Sequence, residues 1–420
     1  MSSLSGLYKL SMAERIQKIK EFVGLTDEEV EAIYSMNGLS RDVADRMIEN
    51  VIGAIQVPLG IATNFLINGK EYAVPMAIEE PSVVAAASNA AKMARTKGGF
   101  RALATRPLMV AQVQVVGVCD PFAAAQRILD QREKILQVCN DTNPTLVKVG
   151  GGAVDLDAKV IESQRGRMVI AEVTVDCRDA MGANTVNTMA ETVAPFIESL
   201  AEGRVRLRIL SNLATKRLAR SWAIFDKEAL GGDEVVEGIL DAYAFAEADP
   251  YRCTTHNKGI MNGISAVALA TGNDTRAIEA GAHAYAARSG RYSSLTRYEK
   301  NDRGDLVGSI ELPIASGILG GATSTHPVAK AAIKILGVRS AQELACVMAS
   351  VGLAQNLAAL RALASEGISK GHMKLHARNL AIMAGASPEL IPKVLEEIEK
   401  EDRVTYDKVA EIVKKLKGEA

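Results

Sequence analysis

The chain has 420 residues, with 49 basic and 50 acidic side chains and a formal charge of −1. A balance so close to neutral leaves no electrostatic footprint for nucleic acid or for an anionic membrane surface, and aromatics at 4% argue against a base-stacking platform. The length allows two or three domains with sizeable cores, and 48% hydrophobic residues beside 24% charged ones is an ordinary globular composition.

Residues 1–20 contain no apolar run flanked by basic residues, so no secretory signal is expected. No window of about 18 residues is apolar and also free of charges and glycines, so no membrane span is expected either. The cysteines Cys119, Cys139, Cys177, Cys253 and Cys346 are odd in number, scattered and without a C-x-x-C. They fit reduced thiols in a cytoplasm, not a disulfide frame or a zinc site.

Two capping boxes, Ser11-x-x-Glu14 and Thr26-x-x-Glu29, open a helical N-terminal arm. A hairpin follows: Ile61 to Ile67, the turn Asn68-Gly69, then Glu71 to Ile78. Asn-Gly suits a two-residue turn in which both positions need positive φ. The second strand runs into Glu79-Glu80-Pro81-Ser82, and Pro81 predicts the first turn of a small-residue helix. Glu80 therefore stands where strand gives way to helix. It is either an idle carboxylate at a helix N-terminus or, given the apolar helix behind it, a group facing an interior.

From Leu108 the pattern changes. A strand at Val110–Val118, a helix from Asp120-Pro121 to about Cys139, a short strand at Leu146–Val149, a strand at Met168–Asp176, a helix at 183–201 and a strand at Val205–Ile209 give β-α-β-β-α-β. The fold class is α+β: a large helical α/β domain (1–107 and 213–370), an inserted ferredoxin-like domain (108–212) and a C-terminal helical flap (371–420). The loop Asp176 to Asn184 precedes a helix and suits a phosphate at a helix N-terminus, although no G-x-G-x-x-G follows a strand.

After Asn212 the chain reads as helical, with Glu234–Ala248 leading into a loop from Arg252 to Lys258. In Thr255-His256-Asn257-Lys258-Gly259-Ile260-Met261-Asn262-Gly263, a lysine sits among polar residues and two glycines that let backbone approach a ligand. Arg252 before it and Asp274 after it, in the first turn of a helix at 273–288, could bind an anion and tune a cation. Gly317–Thr325 reads as a glycine-rich loop, and Ser340-x-x-Glu343 caps a long helix to about Ser365 that contains Gln355-Asn356. Residues 366–371 read as a hinge. His372 and His376 have zinc-like spacing, but no glutamate adjoins them, and one histidine acting as proton donor on a flap fits better. His256, His283 and His326 read as structural.

Together Glu49-Asn50-Val51-Ile52-Gly53, Glu79-Glu80-Pro81-Ser82, Asp179-Ala180-Met181-Gly182-Ala183-Asn184, Thr255-His256-Asn257-Lys258-Gly259, Gly272-Asn273-Asp274 and Gly371-His372-Met373 resemble class II 3-hydroxy-3-methylglutaryl-coenzyme A reductase. The resemblance runs from about residue 10 to 385. It implies a large domain carrying a non-Rossmann nicotinamide domain and a C-terminal flap, in a homodimer or higher oligomer with active sites at the subunit interface. The implied reaction reduces a thioester to an alcohol with two hydrides, giving mevalonate and free coenzyme A, or runs in reverse. Lys258 matches the catalytic lysine, Asp274 its partner, Glu80 the catalytic glutamate and His372 the donor to the departing thiolate. Ser82, Arg252, Thr255 and Asn262 match substrate-binding positions, and Gln355 and Asn356 join this set. Asp179, Met181, Gly182, Asn184 and Asn212 match the cofactor site, and no metal is implied. Where NADH-preferring members place an aspartate, the register puts Asn143, so NADPH is expected to be accepted alongside NADH. A non-redox acyl-coenzyme A enzyme using Lys258 and Glu80 on an enolate, or a non-catalytic binding protein, is the alternative.

Overall fold

A computed structural model describes residues 2–36, 38–365, 377–378, 380–387, 389–398 and 405–418. Both capping boxes form, opening α1 (Met12–Val23) and α2 (Asp27–Tyr34); α3 (Arg41–Met47) follows. The hairpin is β1 (Leu59–Ile67) and β2 (Lys70–Ala77), turning through Asn68 and Gly69 at φ 50 and 81, as a turn with two positive-φ positions requires. A bulge in β1 places Asn64 at φ 71 and ties the hairpin to α4 (Val83–Arg95). There the Thr63 N–H donates to Ser88 Oγ at 3.0 Å and Asn64 Nδ2 to the Ser88 carbonyl at 3.1 Å.

After β3 (Phe100–Ala104) come β4 (Leu108–Val116), α5 (Pro121–Asp130), α6 (Arg132–Asp141), α7 (Pro144–Lys148), β5 (Gly152–Ser163), β6 (Gly166–Asp176), α8 (Ala183–Ala201) and β7 (Arg204–Ser211). The order β5-β6-β4-β7, with every pairing antiparallel, is the ferredoxin-like arrangement. Met109, Ala111, Val113 and Val115 alternate into its core against α5, α6 and α8.

One expected strand is wrong: Leu146 and Val147 lie in α7, and the strand is Gly152–Ser163. Asn143 caps α7 and Pro144 takes its first position, which outweighs the four-residue stretch Leu146–Val149, too short to tell helix from strand. The outer half of β5 is exposed, so its alternation is masked.

The remaining elements are β8 (Leu218–Phe225), α9 (Lys227–Leu230), α10 (Asp233–Ala248), α11 (Pro250–Ala270), α12 (Thr275–Ala286), β9 (Thr296–Lys300), β10 (Leu306–Pro313), α13 (Gly321–Thr325), α14 (Pro327–Leu336) and α15 (Ala341–Ala364). The reading after Asn212 therefore missed β8, and those of the flanking stretches missed β3, β9 and β10. These strands complete a six-stranded sheet, β2-β1-β3-β8-β10-β9. Across it lies α15, which is apolar and long enough to cross a membrane. Here it is the core helix, packed against β3, β8, β10, α4, α10 and α11, which is why it is hydrophobic all round. Helices Ile391–Ile398 and Tyr406–Lys417 share a small cluster with Ala377, Leu380 and Ala381.

The expected loop from Arg252 to Lys258 is also wrong: these residues, and those on to Gly263, lie within α11. Gly263 serves helix packing and not the approach of a ligand. A Cβ there would lie 3.0 Å from Gln355 Cβ, and one on Gly352 would lie 2.8 Å from Ile264. The two helices approach through matched glycines.

Candidate active site

The hairpin and α4 deliver Glu80, and α11 delivers its partners. Pro81 lies in a turn just before the helix, and Ser82 takes the N-cap at φ 76. That is a left-handed conformation uncommon outside glycine and a mark of local strain. The Ser82 hydroxyl is buried without a hydrogen-bond partner, so it is held for something other than capping. Two residues earlier, Glu80 Oε2 accepts from Lys258 Nζ at 3.0 Å and from Asn262 Nδ2 at 3.3 Å. Lys258 and Asn262 are four residues apart on α11, hence on one face, and Thr255 one turn earlier extends that face. The Lys258 side chain keeps 59% of its exposure, so the ammonium remains open to a bound molecule.

Asp274 does not join this cluster. It caps α12, accepting from the Ala277 N–H at 3.0 Å and from Arg276 Nε at 3.3 Å. Among the described residues the ion-pair partner of Lys258 is Glu80. The preceding Asn273 accepts at Oδ1 from the Gly317 N–H at 2.7 Å. Arg252 lies half-buried in the first turns of α11. His372 and His376 lie outside the described residues.

Gln355 is 6% exposed with an unpartnered Oε1, an acceptor still available. Asn356 is committed to the core: at 1% exposure its Oδ1 accepts from Thr296 Oγ1 and Tyr298 OH, each at 2.9 Å. This network includes His256, whose Nε2 lies 2.8 Å from both Thr296 Oγ1 and Ser294 Oγ while Nδ1 has no partner. Burial, reinforced by the Arg252 charge, holds its pKa down to about 3, so His256 stays neutral in the fold. The unfolded chain takes up that proton near pH 6.5. Stability from this group is therefore complete above that pH and is lost as pH falls from about 6.5 toward 3, on the order of 5 kcal/mol in all. His256→Gln should flatten the decline of the denaturation midpoint between pH 7 and pH 4.5. Parallel declines in variant and parent would refute this.

The expected cofactor residues gather at the start of α8. Gly182 is its N-cap at φ 101, and a Cβ there would lie 2.2 Å from Cys177 Sγ, so only glycine fits. No side chain caps this helix, which leaves N–H groups free for an anionic group; the residues present fit a nucleotide phosphate. Asn184, in the first turn, is exposed. Asp179 instead ties the loop down: its Oδ1 accepts from the Ala341 N–H at 2.9 Å and its carbonyl from the Ile318 N–H at 2.9 Å. The Met181 carbonyl accepts from Arg217 Nη1 at 2.9 Å. Asn143 Oδ1 caps α7 through the Leu146 N–H at 3.0 Å, and Asn212 is exposed just beyond β7. Arg217 went unnoticed in the sequence because Thr-Lys-Arg reads as a surface run. Among the described residues, no group of three or more His, Cys, Asp or Glu could hold a metal ion.

Comparison with known proteins identifies the family and the fold. A family model described as hydroxymethylglutaryl-coenzyme A reductase matches residues 11–377. A 3-hydroxy-3-methylglutaryl-coenzyme A reductase of Archaeoglobus fulgidus is 59% identical over 99% of this chain and 95% of its own. The structure of the Streptococcus pneumoniae reductase superposes with a TM-score of 0.84 at 40% identity, covering 99% of this chain and all of that one. A second structure, of the class II enzyme from the same organism bound to NADPH in open conformations, gives 0.82 at 40% identity over 97% of this chain and all of its own. With the family matched over most of the chain and the fold matched over nearly all of it, the chain belongs to the hydroxymethylglutaryl-coenzyme A reductase family.

Proposed function

We propose that Lys258 and Glu80 carry the chemistry of this oxidoreductase, which reduces 3-hydroxy-3-methylglutaryl-coenzyme A to mevalonate and free coenzyme A. The observation that carries the reading is the contact of Lys258 Nζ and Asn262 Nδ2 with one oxygen of Glu80. The nicotinamide of NADPH, when bound, supplies each of the two hydrides. As the first arrives, the thioester oxygen becomes anionic and the Lys258 ammonium neutralises it. Collapse expels the coenzyme A thiolate, and His372 protonates it. On the second reduction the aldehyde oxygen takes its proton through Glu80. Arg252 suits the substrate carboxylate, and Ser82, with its unpartnered hydroxyl, the hydroxymethylglutaryl group. Reduced nicotinamide should be oxidised only when hydroxymethylglutaryl-coenzyme A is present, two equivalents per coenzyme A released. Thioester-independent oxidation, or thiol release without oxidation, would overturn the reading.

NADPH is the cofactor we assign, with NADH accepted beside it, because Asn143 carries no charge to repel a 2′-phosphate. We divide the chain into a substrate domain (1–107 and 213–370), a nucleotide domain (108–212) and a flap (371–420). Support comes from the two separate hydrophobic clusters, one around each sheet. A cytoplasmic location is supported by the five free cysteines, four of them buried.

The working unit in this reading is a homodimer. Residues 51–58 form an arm without regular secondary structure, on which Ile52 and Ile55 are fully exposed. Large apolar side chains held in water on an arm fit burial against a second copy. The open flank of the site at Tyr251, Thr254, Thr255 and Lys258 is where that copy would complete it. Ile52→Asp combined with Ile55→Asp should sediment as a monomer and lose at least about tenfold in kcat. A double variant that stays dimeric and active would remove the arm from the interface.

A further inference from the structure

We propose that Arg217 is a positioning residue that holds the loop before α8 in register with the Lys258–Glu80 site. This rests on the reading of Asp179–Asn184 as the cofactor loop. Arg217 lies on the short link from β7 to β8, where the chain returns from one sheet to the other. The residue is 5% exposed, and its guanidinium gives hydrogen bonds to backbone carbonyls. Nη1 donates to Met181 O at 2.9 Å, while Nη2 donates to Ala180 O at 3.2 Å and to Ser316 O. Two of these carbonyls belong to the loop before α8 and the third to the segment after β10. The nearby Asp176 carboxylate, fully buried, bonds Arg106 at 2.9 Å instead. A buried guanidinium that directs its donors at carbonyls of two segments clamps backbone, and only a planar fork of donors spans them at once.

The clamped segments are already in close contact. Ala180 pairs with Leu319, the Ile318 N–H donates to Asp179 O at 2.9 Å, and a Cβ on Gly317 would lie 2.5 Å from Met181 N. The Gly317 N–H in turn donates to Asn273 Oδ1 at 2.7 Å. Asn273 follows the C-terminal end of α11, the helix that carries Lys258. Directed bonds thus run without interruption from the start of α8 to the end of α11. A loop set loose by about 1 Å at a hydride-transfer site would cost roughly a hundredfold in rate.

Arg217→Lys keeps the charge but cannot reach three carbonyls. It should raise the dissociation constant for NADPH about tenfold or more and lower kcat, while the affinity for hydroxymethylglutaryl-coenzyme A stays within about twofold. Titration calorimetry with each ligand separately reads this split. NADPH affinity within twofold of the parent, or both ligands weakened alike as the melting temperature falls, would overturn the proposal. Gly317→Ala pushes on the same loop from the other side without disturbing a buried charge, and it decides the matter if Arg217→Lys does not fold: it should give the same split, and unchanged NADPH affinity would overturn the proposal. Asn184→Ala tests the underlying reading. If it too leaves NADPH binding intact, the loop assignment fails; if it weakens binding while Arg217→Lys and Gly317→Ala do not, the clamp alone fails.

Discussion

Lys258→Ala is expected to lower kcat by about a thousandfold or more while the protein melts within a few degrees of its parent. Removing one preorganised donor from a developing oxyanion costs roughly a hundred- to a thousandfold, and the donor here carries a full charge. The effect on folding is small because the ammonium is exposed. The Lys258 side chain keeps 59% of its exposure and the Glu80 side chain 36%, and pairs this open to solvent contribute about 0–1 kcal/mol. Thioester-dependent NADPH oxidation and a thermal melt on the same preparation give both numbers. Turnover within tenfold of the parent would remove the ammonium from the oxyanion site. Lys258→Arg sharpens the test, because a planar fork in place of a compact charge should restore only part of the rate. Full restoration would mean that charge alone suffices.

Much of this site is legible in the amino-acid sequence, and what is not has physical causes. Glu80 could be placed because three local signals agree at 68–82: an Asn-Gly turn, a strand of fixed length and a proline. The match between Lys258 and Glu80 came from the resemblance, since the two are 178 residues apart and no periodicity reports such a contact. The helix over 252–263 is hidden in the sequence because glycine lowers helix propensity, whereas tertiary packing against α15 sets the helix and demands glycine at 263. Strands β3, β8 and β9 were invisible for a related reason. β3 and β9 are five residues long, and the exposed face of β8 carries Trp222 and Ile224, which blurs its alternation. Each strand is set by its neighbours in the fold, β3 and β8 by one another and by α15, β9 by β10. Asp179 and Asn273 show the same limit at the level of side chains. Both stand in matched motifs, yet their oxygens bond backbone N–H groups of Ala341 and Gly317, partners that only the folded chain brings near.

Glu80→Gln is expected to lower kcat by about a hundred- to ten-thousandfold, the range for losing a positioned proton donor or acceptor, with the KM for the thioester nearly unchanged. The amide keeps the shape of the side chain, and its oxygen can still accept from Lys258 Nζ and Asn262 Nδ2, which now meet at a single oxygen of the carboxylate. What it cannot do is exchange a proton. The second reduction exposes this most directly, because an aldehyde supplied as substrate bypasses thioester cleavage and the protonation of the thiolate. If Glu80 handles that proton, mevaldehyde reduction should fall as far in Glu80→Gln as the overall reaction does. If mevaldehyde is still reduced at more than a tenth of the parental rate while the overall reaction is slow, Glu80 acts in the first step, and the proton for the alcohol reaches the oxygen from Lys258 itself.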